Sequence, residues 1–340
     1  MEILEKILVI QTAFIGDAVL TLPMIQKLKE HKPNSLVYVL CIPSTEEIFI
    51  NSDSVTGVVV YDKRGSQKTL LSYLKLIAKI RSCKFELVIS PHRSIRSTLI
   101  SFLSGAKNTI GFDTAACSFI YKKVVKYRKD KHEVERNISL VSYQVREELQ
   151  LILPKMKTNE TVKTRVASLL KSLPAKINIA VAPGSVWNTK VYPKEYFEEL
   201  IKLIVSNGYG VVLIGGKEDS DLCESIAKNS DKSISLAGRL NIPESVELLR
   251  NCAALVCNDS APTHLAMIAN IPVLTIYCST IPGFGFFPYN KTSKYLSFDE
   301  LKCKPCGIHG YNQCPIKTFE CAYKLKPNLV HEKLKEILPD

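Results

Sequence analysis

The chain has 340 residues, 46% of them hydrophobic and 23% charged, and a formal charge of +12. That length points to about two domains, and the composition excludes a largely disordered chain. The positive balance points to anionic partners: nucleic acid, phosphorylated small molecules or an acidic membrane surface.

The opening residues Met1–Lys6 run straight into a strand-like "KILVIQ", without the basic, apolar and small-residue zones of a secretory signal. The longest apolar runs fall short of the ~20 residues that span a bilayer. Eleven cysteines are then expected as reduced thiols, and the cytoplasm is the expected location. Strands are predicted at Ile7–Gln11, Leu36–Leu40, Gly57–Tyr61 and Glu86–Ser90, alternating with helical stretches such as "TLLSYLKLIAKIRSC". Between Lys122 and Lys131 lie six cations against Asp130 alone, either a solvated surface or a dock for an anionic substrate or bilayer.

The segment Ser168–Asn178 reads as a linker. Strands are predicted again at Ile179–Ala182, Val211–Ile214, Leu255–Cys257 and Val273–Tyr277, with Gly208 and Gly238 marking helix ends or turns. This alternation predicts α/β architecture with two successive parallel sheets. In such sheets ligands bind beyond the carboxyl ends of strands, so the loops there are the places to search.

The first such loop ends in Gly16-Asp17 at a helix start. The helix dipole is expected to hold the Asp17 carboxyl low, leaving either an ionised base or a simple helix cap. The loop from Ala182 to Pro193 offers Gly184, Ser185 and Lys190, a set that can hold a phosphate. The loop from Val256 to Leu265 predicts Ser260 as the cap of a helix beginning Ala261-Pro262, with Asp259 and His264 flanking the start. The glycines of "VVLIGGKEDSD" (Gly215, Gly216) suit either a nucleotide contact or a tight turn.

In chain order these loops resemble glycosyltransferase family 9, the lipopolysaccharide heptosyltransferases. The similarity rests on "ILVIQTAFIGDAVLTLPMIQKLK", "FELVISPHRSIRSTLISFLSGAKNTIGF", "HEVERN", "VAPGSVWNTKVYPKEYFEELI", "VVLIGGKED", "LAGRLNIPE" and "NDSAPTHLAMIANIPVLTIY". The resemblance implies GT-B architecture: two Rossmann-like domains facing across a cleft, residues 1–170 binding acceptor, 171–325 binding nucleotide sugar, and a terminal helix at 326–340. It also implies inverting transfer of heptose from ADP-heptose to Kdo-lipid A or a heptosylated inner core, beside an anionic inner-membrane surface, with no required cofactor.

Carried over residue by residue, the resemblance makes Asp17 the catalytic base. Gly184, Ser185, Lys190, Gly215, Asp259, Ser260, Ala261 and His264 become the donor site, and Arg93, Arg96, His132 and Arg136 meet acidic groups of the acceptor. Three positions depart from the family pattern: Ala261 for glycine, Tyr192 for tryptophan, and Pro243-Glu244 where a glutamate is usual one place earlier. Cys303, Cys306, Cys314 and Cys321 fall within nineteen residues, a spacing compatible with free thiols, a structural zinc, disulfides or an iron–sulfur centre. The rival readings are another nucleotide-sugar enzyme of this architecture, such as an epimerase, and a basic nucleic-acid binder. Against the binder, no aromatics interleave with the cations as stacking platforms.

Overall fold

The computed structural model describes residues 5–142, 151–173 and 175–338. The chain divides into two compact units, Met1–Lys157 and Thr158–Asp340. Each is built on a six-stranded, all-parallel sheet.

In the first unit the strands are β1 (Lys6–Ile10), β2 (Leu36–Cys41), β3 (Gly57–Val60), β4 (Leu87–Ser90), β5 (Asn108–Phe112) and β6 (Lys123–Val125), in the spatial order β3-β2-β1-β4-β5-β6. Ile7–Ile10 of β1 and Leu87–Ile89 of β4 are all apolar because both faces of a parallel sheet are covered. Helices Leu70–Ser82 and Ile95–Leu103 cover one face. Leu76, Ile77, Ile80 and Ile100 pack there on Leu8, Ile10, Leu40 and Val88. Helix Ile15–His31 packs with Glu133–Ser139, and Asn137 Nδ2 donates to Leu20 O at 3.0 Å.

The second unit repeats the plan with β7 (Asn178–Ala182), β8 (Gly210–Leu213), β9 (Ser233–Ser235), β10 (Ala254–Asn258), β11 (Val273–Tyr277) and β12 (Lys294–Ser297), ordered β12-β11-β10-β7-β8-β9. Its core joins Phe197, Leu200, Ile201 and Ile204 to Val181, Leu213 and Val256. Gly208 ends the helix Lys194–Ser206 at φ +89°, a left-handed conformation that costs any other residue strain.

Eight strands lie where they were expected, within a residue at either end. Four were not foreseen: β5, β6, β9 and β12. The division also falls earlier than 170/171. Helix Glu160–Leu170 belongs to the second unit, where it packs on helix Ile242–Arg250, and Thr158 Oγ1 donates to Glu247 Oε2 at 2.7 Å. Pro174, inside the expected linker, lies outside the described residues. The terminal helix spans Pro327–Lys335 and packs against Lys194–Ser206 as part of the second unit.

Candidate functional site

In the first sheet the chain leaves β1 toward β2 and later returns to β1's other side as β4. The loops after these two strands therefore diverge at a switch point, where α/β sheets bind ligands. The loop after β1 carries Asp17. Its shape is held by Gln11, whose Oε1 accepts from Ala13 N at 3.2 Å and whose Nε2 donates to Thr21 Oγ1 at 2.8 Å. The Phe14 amide donates to Asp17 Oδ2 at 3.3 Å, closing the first helical turn.

The expectation of a low Asp17 pKa is not met. Burial, reinforced by the charge of Glu133, pushes its carboxyl up to about 6, against the lowering pull of the Phe14 amide and Arg93. Desolvation of a carboxylate outweighs a helix terminus here. The group is still mostly ionised at neutral pH, and its pKa now lies nearer the working pH, which favours proton transfer.

Arg93 follows β4. Its guanidinium lies 4.2 Å from the Tyr127 ring centroid and its Nη1 reaches Thr114 Oγ1 at 3.5 Å. Arg96 is exposed at the start of the next helix. Arg93 is half-buried, so both guanidiniums are reachable from solvent.

The other two acceptor candidates, His132 and Arg136, are not so placed. Arg136 is 3% exposed: Nη1 donates to Glu133 Oε2 and Tyr127 Oη at 2.9 Å each, Nε to Arg128 O at 2.8 Å, and Nη2 to Lys129 O at 2.7 Å. A guanidinium spent in this way holds the 127–133 segment in place. His132 is 2% exposed and caps the helix Glu133–Ser139, its Nδ1 accepting from Val134 N at 3.2 Å.

Two residues escaped the sequence reading. His92 Nδ1 lies 2.9 Å from both Thr12 Oγ1 and Ser97 Oγ. Burial and the charges of Lys63 and Arg93 bring its pKa down to about 4, so the ring is neutral. Lys63 Nζ donates to Thr12 O at 2.6 Å, which ties the loop after β3 to the loop after β1. His92 stood in a quoted motif, and Lys63 carried no local signal.

The switch point of the second sheet lies between β7 and β10. Asn258, fully buried, joins the two loops: Nδ2 donates to Pro183 O at 2.7 Å and Oδ1 accepts from Tyr192 N at 3.0 Å. Lys190 and Asp259 form an ion pair at 2.6 Å, and Thr280 Oγ1 donates to the same Asp259 Oδ2 at 2.7 Å. Lys190 is therefore half of a pair and not an isolated point charge.

Ser260 stands at the N-cap of helix Ala261–Ala269, but its side chain makes no capping bond. The Oγ donates to Asn258 O at 3.3 Å instead, and the Thr263 amide donates to the Ser260 carbonyl at 3.1 Å. His264 is buried on this helix. Gly184 and Gly215 do permit close approach, though of a carboxylate: a Cβ at either would collide with Asp219, whose Oδ2 accepts from Gly216 N at 2.9 Å. Burial raises the Asp219 pKa against the pull of that amide.

Two of the three family departures, Tyr192 and Pro243-Glu244, fit their surroundings. Tyr192 is fully buried, edge-on to Phe197 with centroids 5.2 Å apart, and its hydroxyl donates to Leu325 O. Glu244 completes a reciprocal cap, accepting from Asn241 N at 2.9 Å while its own amide donates to Asn241 Oδ1 at 2.9 Å.

The cysteine segment meets the loop from Ala182 to Pro193, a contact that nothing in the sequence signalled. Tyr311 N donates to Thr189 Oγ1 at 2.8 Å, Thr189 N donates to Tyr311 O at 3.0 Å, and Trp187 stacks on His309. Cys303, Cys306, Cys314 and Cys321 line one cavity as free thiols. Among the described residues, no three His, Cys, Asp or Glu side chains gather closely enough to hold a metal ion. Burial pushes the Cys314 thiol up, but the amides of Phe319, Ile316, Lys317 and Thr318 outweigh it and hold the thiol below its usual range.

Two parallel-sheet units, each with polar loops at its switch point, form an architecture shared with glycosyltransferases of known structure. A family 9 glycosyltransferase from Veillonella parvula superposes with a TM-score of 0.86 at 18% identity, covering 99% of this chain and 98% of that one. The Escherichia coli ADP-heptose LPS heptosyltransferase II gives 0.80 at 21%, with 98% of each chain covered. The Haemophilus influenzae lipooligosaccharide heptosyltransferase 2 is 23% identical over 98% of this chain and 99% of its own. The model of glycosyltransferase family 9 (heptosyltransferase) matches residues 73–313, and the chain belongs to that family. It is a glycosyltransferase. The epimerase and nucleic-acid readings are set aside by that match.

Proposed function

We propose that the protein transfers a heptose from ADP-L-glycero-D-manno-heptose to the inner core of lipopolysaccharide, with inversion at the anomeric carbon and Asp17 as general base. The observation that carries this reading is a carboxylate at the first unit's switch point, its pKa brought to about 6, with cationic Arg93 and Arg96 following the neighbouring strand. In the step, Asp17 takes the proton of an acceptor hydroxyl. That oxygen bonds to the anomeric carbon, and the bond from this carbon to the donor phosphate breaks, releasing ADP. Arg93 and Arg96 suit the carboxylates and phosphates of Kdo-lipid A or a heptosylated core.

In the second unit, the Ala261 amide and the Lys190 ammonium suit a diphosphate whose charge grows as the sugar departs. Asp259 then orients Lys190 for that task, and His264 fixes the helix behind it. A lipid-linked acceptor places the reaction at the cytoplasmic surface of the inner membrane. No helix among the described residues is long and apolar enough to cross a membrane.

The test is Asp17→Asn. Turnover should fall by ~10²–10⁴-fold while ADP affinity holds. Unchanged turnover would remove Asp17 from the chemistry.

A further inference from the structure

Helices Leu70–Ser82 and Ile95–Leu103 lie side by side on one face of the first sheet. The Tyr73 hydroxyl donates to Arg96 O at 2.9 Å near their starts, and Arg81 reaches Gly105 near their ends. Their inner faces are core, but their outer faces are not polar. Leu70, Leu71 and Leu74 are 73%, 63% and 50% exposed, Ile95 and Phe102 are 52% and 57%, and nearby Phe119 is 82%. Large apolar side chains gathered on one outer face mark an interaction surface, whereas scattered ones need no explanation.

The charge around them has one sign. Residues 63–112 hold ten lysines and arginines and one acid, Glu86. Lys68, Lys75 and Lys79 are exposed on or beside the first helix. The basic strip starts close by, where Lys122 Nζ donates to Lys107 O just past the second helix.

We propose that the outer faces of these two helices dock the enzyme onto an anionic lipid bilayer, with Leu71, Leu74 and Phe102 entering the headgroup boundary and the lysines meeting lipid phosphates. Apolar side chains ringed by cations match such a surface in both respects, because burial of the former and attraction of the latter add. A protein partner of mixed charge would leave the one-sided cationic rim unmatched. The assignment rests on the lipid-linked acceptor proposed above and supplies the surface by which the enzyme reaches it.

The experiment is flotation of the full chain with vesicles of phosphatidylethanolamine and phosphatidylglycerol, against phosphatidylcholine alone. The wild type should float with the anionic vesicles only. L71S/L74S/F102S should bind them roughly ten-fold or more weakly. Because these side chains are exposed, the variant should melt as the wild type does and keep its turnover on a delipidated, soluble acceptor. K68Q/K75Q/K79Q should weaken binding at low salt, with the deficit shrinking as salt rises. Unchanged vesicle binding by both variants overturns the proposal. So does a wild-type dimer that L71S/L74S/F102S dissociates while vesicle binding persists, since a second copy would then cover the face. Vesicle binding as described with no heptose transfer to any acceptor would sink the proposed heptose transfer and leave the docking surface standing.

Discussion

Asp17 is charged at neutral pH in a place that disfavours charge. Its folded pKa, about 6, lies above the unfolded value of 3.8, so the folded state binds more protons than the unfolded one between them. The stability associated with this group is present below the unfolded pKa and is lost as pH rises through about 6. Asp17→Asn should therefore raise the Tm at pH 8, with the gain vanishing toward pH 4, while turnover collapses. A lower Tm at pH 8 would make Asp17 a structural cap instead of a base. For the wild type, kcat/KM should fall on the acid side with an apparent pKa near 6 as the base becomes protonated. An acid limb that persists unchanged in Asp17→Asn would assign that titration to another group.

Lys190 and Asp259 can be separated in the same way. Lys190→Ala leaves a mostly buried carboxylate without its cation, so both stability and nucleotide binding should drop, the latter by roughly 1.5–3 kcal/mol. Lys190→Ala with Asp259→Asn should recover the Tm but not the affinity for ADP in calorimetric titration. Recovery of both would show that Lys190 does not meet phosphate.

At the scale of elements, the helix Glu160–Leu170 decides where the second unit starts. Val166 is buried, and Arg165 pairs with Glu244 at 3.0 Å on the neighbouring helix. A chain starting at Thr158 should fold and bind ADP. One starting at Lys171 should bare the apolar side of helix Ile242–Arg250 and melt lower or aggregate. Equal melting of the two would return the boundary to the segment after Leu170. The same scale explains what the sequence concealed. Strand β6 is three residues inside the lysine-rich strip, so its charge hid its conformation, and β5 reads Asn-Thr-Ile-Gly-Phe, with two residues poor in strand preference. Interior strands such as β1, β7 and β10 were legible because burial on both faces leaves each a run of four consecutive apolar residues.

Across the whole molecule, the legible part was the one carried by local pattern: two parallel sheets, and candidate loops following β1, β7 and β10. What was not legible depended on partners distant in sequence. Arg136 is consumed by Tyr127, Glu133 and two carbonyls, Asp219 fills the space beside Gly184, and Tyr311 closes over Thr189. A motif names a side chain but not what its neighbours have already claimed. The positive charge is uneven: residues 1–157 hold 24 lysines and arginines against 15 acids, and residues 158–340 hold 21 against 18. If the first unit binds a polyanionic acceptor as proposed, transfer to a lipid-linked acceptor should weaken with ionic strength more than ADP binding does.

The most direct measurement is the reaction itself. Purified enzyme is incubated with a heptose-deficient inner-core acceptor and ADP-heptose, and ADP release and acceptor mass are followed together. The proposed reaction should release one ADP for each heptose gained by the acceptor, show no transfer from UDP-sugars, and lose both signals in Asp17→Asn. Transfer from a UDP-sugar but not from ADP-heptose, or full transfer by Asp17→Asn, would contradict it.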